Sequence, residues 1–202
     1  MARRKPEELI AAMFETLAQK VATTAITIGS LFFTSIAGTN AIFNNPEVDV
    51  KGSKITVTTE LRDCYTEELD RLFQSGQPVR FYFRVSIREN QNDKVLIVKD
   101  FYHQIKYSLV DGYYQIYFSE TDETINTVTL EEAHQEMASI DNYEVVDAEF
   151  LDGNKRYYFH MTAYMKNIRL PGMQEEINLM SYWKGVEPTI KSNPFDKSVL
   201  AL

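Results

Sequence analysis

Apolar and polar residues recur with two different periods along this chain, and the change falls near residue 47. Ahead of it, Ile10, Met13, Phe14, Leu17 and Val21 repeat at the spacing of one helical face. Pro6 suits a first helical turn, and Glu7 and Glu8 suit the positive end of the helix dipole. The pattern predicts a cytoplasmic amphipathic helix over 1–20. From Val21 to Pro46 no charged residue occurs, and the first part of that run is largely apolar. A helix needs roughly 20 mainly apolar residues to cross the hydrocarbon core. With Arg3-Arg4-Lys5 before the run and Glu47 and Asp49 after it, residues 21–38 are expected to form a transmembrane anchor with the N-terminus inside. Two other readings fit the same stretch: a buried helix of a soluble protein, and a cleaved signal peptide ending at Thr39-Asn40-Ala41. The long lead before the apolar run speaks against the signal. Within the span, Thr23, Thr27, Ser30 and Thr34 share a helical face, and Ala25 and Gly29 form a small-xxx-small pair, so both faces are candidates for helix packing in the membrane.

After a linker expected over 39–47 the period becomes two. Ile55, Val57, Thr59 and Leu61 alternate with polar neighbours, as in a strand with one buried face. Thr66 caps a short helix with the stripe Leu69, Leu72 and Phe73, which Gly76 and Pro78 stop. Val79, Phe81, Phe83, Val85 and Ile87 then alternate with Arg80, Tyr82, Arg84, Ser86 and Arg88, the clearest strand of the chain. Lys94 to Leu109 is β-rich, with a slip in alternation near Lys99-Asp100 that predicts a bulge. Asp111-Gly112 predicts a two-residue hairpin turn, and Thr129-Leu130-Glu131-Glu132 a capping box opening a second helix to about Ala138. Two further strands are expected around 143–151 and 155–166. The fold expected over 48–186 is an antiparallel β-sandwich of immunoglobulin-like character with two short inserted helices, followed by a tail over 187–202; a small α+β sheet is the alternative.

Charge narrows the class. Of 21 basic and 29 acidic side chains, four and three lie before residue 42, which leaves a net charge of −9 beyond it. So acidic a domain repels phosphate backbones, which argues against nucleic acid as a partner. Cys64 is the single cysteine, so no internal disulfide forms, and its surroundings fit a packed thiol.

The order of elements resembles a known family. The run from Leu72 to Phe83 through Gly76 and Pro78, then Ile105-Lys106-Tyr107-Ser108-Leu109 ahead of a hairpin, then Val128-Thr129-Leu130-Glu131-Glu132-Ala133, is similar to uncharacterised bacterial envelope proteins classed as a domain of unknown function. The likeness spans about Val48 to Trp183 and departs from the family in the longer charged N-terminus and the tail after Gly185. It implies an N-terminal signal or anchor, a location in the envelope and a β-rich fold. It implies no mechanism.

Chemistry is sparse. His103, His134 and His160 stand apart with no metal-ligand spacing, and no nucleophile, P-loop or dinucleotide motif occurs. No catalytic residue, metal or cofactor is therefore assigned. The most distinctive exposed feature is the face Arg80, Tyr82, Arg84 and Arg88, a candidate partner-binding site for an acidic group. Its other reading is a solvated ladder paired across strands with acids such as Asp147 and Glu149. Tyr102, Tyr107, Tyr113, Tyr114, Tyr117, Tyr157, Tyr158 and Tyr164 crowd the same part of the chain, and tyrosine suits protein contacts. The sequence thus points to a single-pass protein of the cytoplasmic (inner) membrane with its main domain in the periplasm. It would be a structural or assembly component of a membrane complex, bound to the membrane and to other subunits, with no small-molecule substrate identified. An envelope enzyme or binding protein acting on a cell-wall or lipid ligand is the alternative.

Overall fold

The structure, a computed structural model, describes residues 38–197. The amphipathic helix, the anchor and its packing residues Thr23, Ala25, Thr27, Gly29, Ser30 and Thr34 lie outside the described residues. No helix among the described residues is long and apolar enough to cross a membrane.

The described chain is mainly β, with two antiparallel sheets and two α-helices, an arrangement consistent with a β-sandwich. The narrow sheet is centred on β3 (Lys54–Arg62), with β1 (Ile42–Phe43) and β2 (Glu47–Lys51) along one side and β8 (Ser139–Asp147) along the other. Phe43 faces Leu61 and Glu47 faces Thr58, so β1 and β2 form one edge interrupted by a bulge at Asn44-Asn45-Pro46. Proline has no N–H to place in a ladder, and an outer edge is where sheets accept it. The wide sheet is built on β4 (Val79–Glu89), β5 (Val95–Tyr107), β6 (Tyr114–Phe118) and β7 (Glu123–Thr127), which follow one another as a meander. β9 (Arg156–Tyr164) lies on the other side of β4, and β10 (Thr189–Lys191) and β11 (Phe195–Asp196) run in succession along β9. That edge is also broken at an Asn-Pro step, Asn193-Pro194. A sequential meander of this kind differs from the connectivity of an immunoglobulin domain.

Helix α1 (Glu67–Gln74) is capped by Thr66, whose side chain accepts from the Leu69 N–H at 3.2 Å. It ends at Gly76, where φ is +79°, a conformation that strains other residues; a β-carbon there would also come within 3.1 Å of the Leu109 side chain. Helix α2 (Leu130–Ala138) starts at Thr129, whose side chain accepts from the Glu132 N–H at 3.2 Å. Between the sheets lie Ile55, Val57 and Leu61 of β3, the fully buried Val79, Phe81, Phe83, Val85 and Ile87 of β4, and Leu69, Leu72, Phe73 and Met137 from the helices. A short 3-10 turn, Leu179–Trp183, brings Trp183 into this core. Its indole N–H donates to the Cys64 carbonyl at 2.8 Å, and its ring meets Phe81 edge-on at 5.0 Å.

The structure departs from expectation in three places. Residues 39–47 and 187–197 supply edge strands to the two sheets, which short segments flanked by Asn-Pro do not announce. The bulge in β5 sits next to Leu96, where Ile87 faces Ile97 but Arg88 faces Val95; the irregular polarity at Lys99-Asp100 reflects exposure of that half of the strand. At the β5–β6 hairpin only Gly112 takes positive φ. Asp111 is held instead by Ser108, whose hydroxyl donates to its carboxylate at 2.7 Å and accepts from its N–H at 3.2 Å, so the connection is longer than two residues.

Candidate functional site

Alternation along β4 turns Arg80, Tyr82, Arg84 and Arg88 to the side of the wide sheet opposite the core, and antiparallel register decides which neighbours join them. Tyr82 faces Tyr164 on β9 and Tyr102 on β5. The rings form a row across four strands: Tyr164 and Tyr82 stack at 5.2 Å, Tyr82 and Tyr102 lie 5.7 Å apart, and Tyr102 and Tyr117 of β6 lie 5.9 Å apart. Two cations sit on this row. The Arg80 guanidinium is 4.8 Å from the Tyr102 ring centre and the Lys166 amine is 4.2 Å from that of Tyr82.

The arginines divide into two kinds. Arg84 grips Asp100 of β5 with two bonds of 2.7 and 3.0 Å, and this bond holds the Asp100 carboxyl below its usual range. Arg88 bonds Asp93 at 3.1 Å, and Asp93 also accepts from the Tyr158 hydroxyl, which keeps its carboxyl low. Arg80 by contrast donates to the neutral Gln104 at 2.7 Å, and among the described residues neither Arg80 nor Lys166 has a carboxylate within ion-pair distance. The acids expected opposite the arginines are elsewhere: Asp147 ends β8 in the other sheet, where it pairs with Lys54 at 2.9 Å, and Glu149 follows it in a short 3-10 turn. Beside Arg80, Tyr82 and Lys166 a groove of about 330 Å³ opens, also lined by Ile168 and Arg169. Farther along the face, Lys191 lies over the Tyr158 ring at 5.1 Å, and burial, then the charges of Arg88 and Lys191, push the His160 imidazole below its usual range.

A second polar cluster lies at the inner side of β5. His103 is fully buried, with Nδ1 at 3.1 Å from the Met137 carbonyl and Nε2 at 2.7 Å from Glu120. The carbonyl only accepts, so Nδ1 carries a hydrogen. An ionised carboxylate also only accepts, so a second proton lies between Nε2 and Glu120. Glu120 borders a cleft of about 600 Å³ between β5 and β8, walled by Phe101 and Tyr143, whose rings stack at 4.2 Å. Burial first, then the charges of Glu120 and Asp100, push the Tyr143 phenol up to about 12. His134 bonds Asp70 at 2.7 Å and stacks on Tyr65 at 3.7 Å, tying α2 to α1. No group of three or more metal-binding side chains is placed to hold an ion among the described residues.

Over residues 39–189 the sequence matches the family described as a domain of unknown function (DUF4390). The chain belongs to that family. The DUF4390 match takes in all of β2 to β9, both helices and the tyrosine row, so the cationic face from Arg80 to Lys166 lies within the family's domain and Lys191 falls two residues beyond the matched stretch. No curated protein and no solved structure matches the chain.

The structure brings Arg80 and Tyr82 together with Tyr102, Tyr117 and Tyr164, and gives Arg84 and Arg88 acidic partners. Tyr157 and Tyr114, part of the same sequence cluster, turn into the core. Lys166 is the member that sequence reasoning missed: it lies two residues beyond the end of β9, in phase with Tyr164, and that spacing was the available signal.

Proposed function

We propose that this chain is a membrane-tethered binding component that assembles with other proteins through the outer face of its wide sheet. The observation that carries this reading is charge segregation. A domain of net charge −9 presents Arg80, Arg84, Arg88, Lys166 and Lys191 on one face, with only Asp93 and Asp100 bonded among them. Rings lie between these cations. Tyrosine and arginine are the residues that protein interfaces concentrate at their centres, and a cationic face on an acidic body selects an acidic partner surface. The tether rests on the uncharged run 21–46 with its basic N-terminal flank, which favours a bacterial inner-membrane anchor with the domain in the periplasm.

The test is purification of the full-length protein from its own membranes in mild detergent, with and without Arg80→Ser/Lys166→Ser. Arginine contacts buried at an interface are worth on the order of 2 kcal/mol or more each. The variant is expected to lose the co-purifying protein while its melting temperature stays close to that of the parent; an unchanged complex overturns the assignment of this face. Topology is tested with a reporter active only outside the cytoplasm, expected to work after Leu202 and fail before Pro6. An active N-terminal fusion refutes the tether.

A further inference from the structure

β5 is paired over most of its length on one side and over less than half of it on the other. β4 lies beside it from Val95 to Ile105, whereas β6 covers only His103 to Tyr107. One more link closes that side: the Tyr102 N–H donates to the Ser119 hydroxyl at 2.7 Å and the Tyr102 carbonyl accepts from the Ser119 N–H at 3.0 Å. Tyr102 thus turns both backbone groups away from β4. Backbone groups alternate sides along a strand, so Asp100 and Val98 turn theirs the same way, to a side where no strand lies among the described residues. Three of the exposed side chains there are apolar, Val98 at 51%, Val95 at 41% and Leu96 at 36% exposed, beside the exposed Lys99 and Asp100. Proteins usually cover such an edge or guard it with charge or proline. Here both charges are already engaged: the Lys99 amine donates to the Glu144 carbonyl across the cleft at 3.1 Å, and the Asp100 carboxylate is held by Arg84.

The open edge is one wall of the cleft that Glu120 borders, and the opposite wall, on β8, carries Asp141, Tyr143 and Glu144. The Asp141 and Glu144 carboxylates have no cation within ion-pair distance among the described residues. Ring faces and unpaired carboxylates together suit a basic side chain. We propose that this edge is a strand-addition site. It takes an extended segment of another protein, bonded to the Val98 and Asp100 backbone, with lysine or arginine entering the cleft beside Phe101 and Tyr143 and apolar residues lying beside Val98. The site is independent of the cationic face, so Arg80→Ser/Lys166→Ser leaves it intact.

The probe is the capped peptide Thr-Val-Lys-Val-Thr-Val-Lys-Val-Thr, with a control carrying Glu in place of Lys, added to the full-length protein in mild detergent. Hydrogen exchange is followed over residues 95–101. The lysine peptide is expected to slow exchange there about tenfold or more, and the glutamate peptide is not. Val98→Pro removes an N–H that faces the open side and none that bonds β4, so it is expected to abolish the protection while the protein still melts cooperatively. Asp141→Lys/Glu144→Lys keeps the edge and is expected to reverse the preference toward the glutamate peptide, which tests the site even if Val98→Pro does not fold. Equal protection by both peptides, protection by neither, or protection that persists in Val98→Pro overturns the proposal. Slowed exchange that appears with rising protein concentration alone, together with a dimer in sedimentation, overturns it in favour of a second copy at the edge.

Discussion

Replacing Glu120 tests the buried histidine pair most directly. In Glu120→Leu the volume is kept but the Nε2 of His103 faces carbon, in a site where His103 is 1% exposed and water has little access. A buried polar atom left without a partner costs about 1–3 kcal/mol. For a domain of this size each kcal/mol moves Tm by about 2–4 °C, so a fall of about 2–12 °C is expected. Glu120→Gln behaves differently. Its amide N–H donates to Nε2 while Nδ1–H still bonds the Met137 carbonyl, so the ring remains satisfied as a neutral imidazole. What is lost is charge assistance, worth about 1 kcal/mol. Thermal unfolding followed by near-ultraviolet circular dichroism, with urea midpoints as a check, ranks the two. If Gln destabilises as much as Leu, or Leu has no effect, the hydrogen bonds assigned to Nδ1 and Nε2 of this ring are wrong.

Other outcomes follow from single contacts. Trp183→Phe removes the donor to the buried Cys64 carbonyl and part of the packing on Phe81, and is expected to cost about 2–4 kcal/mol in urea unfolding. Burial holds the Cys64 thiol up to about 12, so a thiol-specific disulfide reagent in mildly alkaline buffer is expected to modify it only after denaturation; fast labelling of the native protein contradicts its place in the core. His160 is held below 6.5 by burial and then by Arg88 and Lys191, with Asp93 opposing, so the unfolded chain binds the proton more readily. Its neutral form therefore contributes fully above about pH 6.5 and its contribution is lost below that, and His160→Gln is expected to flatten the fall of urea midpoints on the acid side.

The strands with strict alternation were legible because one face of each is buried and the other is not. β4 is the clearest: Val79 to Ile87 goes to the core and Arg80, Tyr82 and Arg84 go out, as the period alone requires. Both helices were legible from their caps, since a threonine oxygen accepting from the third N–H is a local event. The edge strands were not. β1, β10 and β11 are two or three residues long, and a segment that short gains its pairing from the neighbour it lies on. The site was half legible for the same reason. Arg80, Tyr82, Arg84 and Arg88 share a face by local geometry, but whether an arginine is free depends on the strand opposite. Asp100 faces Arg84 and Gln104 faces Arg80 because of the β4–β5 register, which the loop from Asn90 to Lys94 and the bulge beside Leu96 gave no means of fixing from sequence. The His103–Glu120 pair joins β5 to the turn beyond β6, and that contact is likewise a product of register.

The cationic face and the open edge belong to one sheet, and their relation has a measurable consequence. Gln104, which holds Arg80, and Val98 point to the same side of β5, six residues apart along the strand, or about 20 Å at strand rise. A partner that adds a strand at Val98 widens the face on which Tyr102 and Arg80 lie, so a single partner of ordinary interface size reaches both. Sites this far apart perturb binding independently. If one protein engages both, Arg80→Ser/Lys166→Ser and Val98→Pro each weaken retention of that same protein, and their free-energy costs add in the combined variant. If the two features serve different partners, each variant releases its own and spares the other. Quantitative retention from membranes, measured for the parent, each variant and the combination, separates the cases; a protein retained in full by Val98→Pro but released by Arg80→Ser/Lys166→Ser excludes the single shared partner.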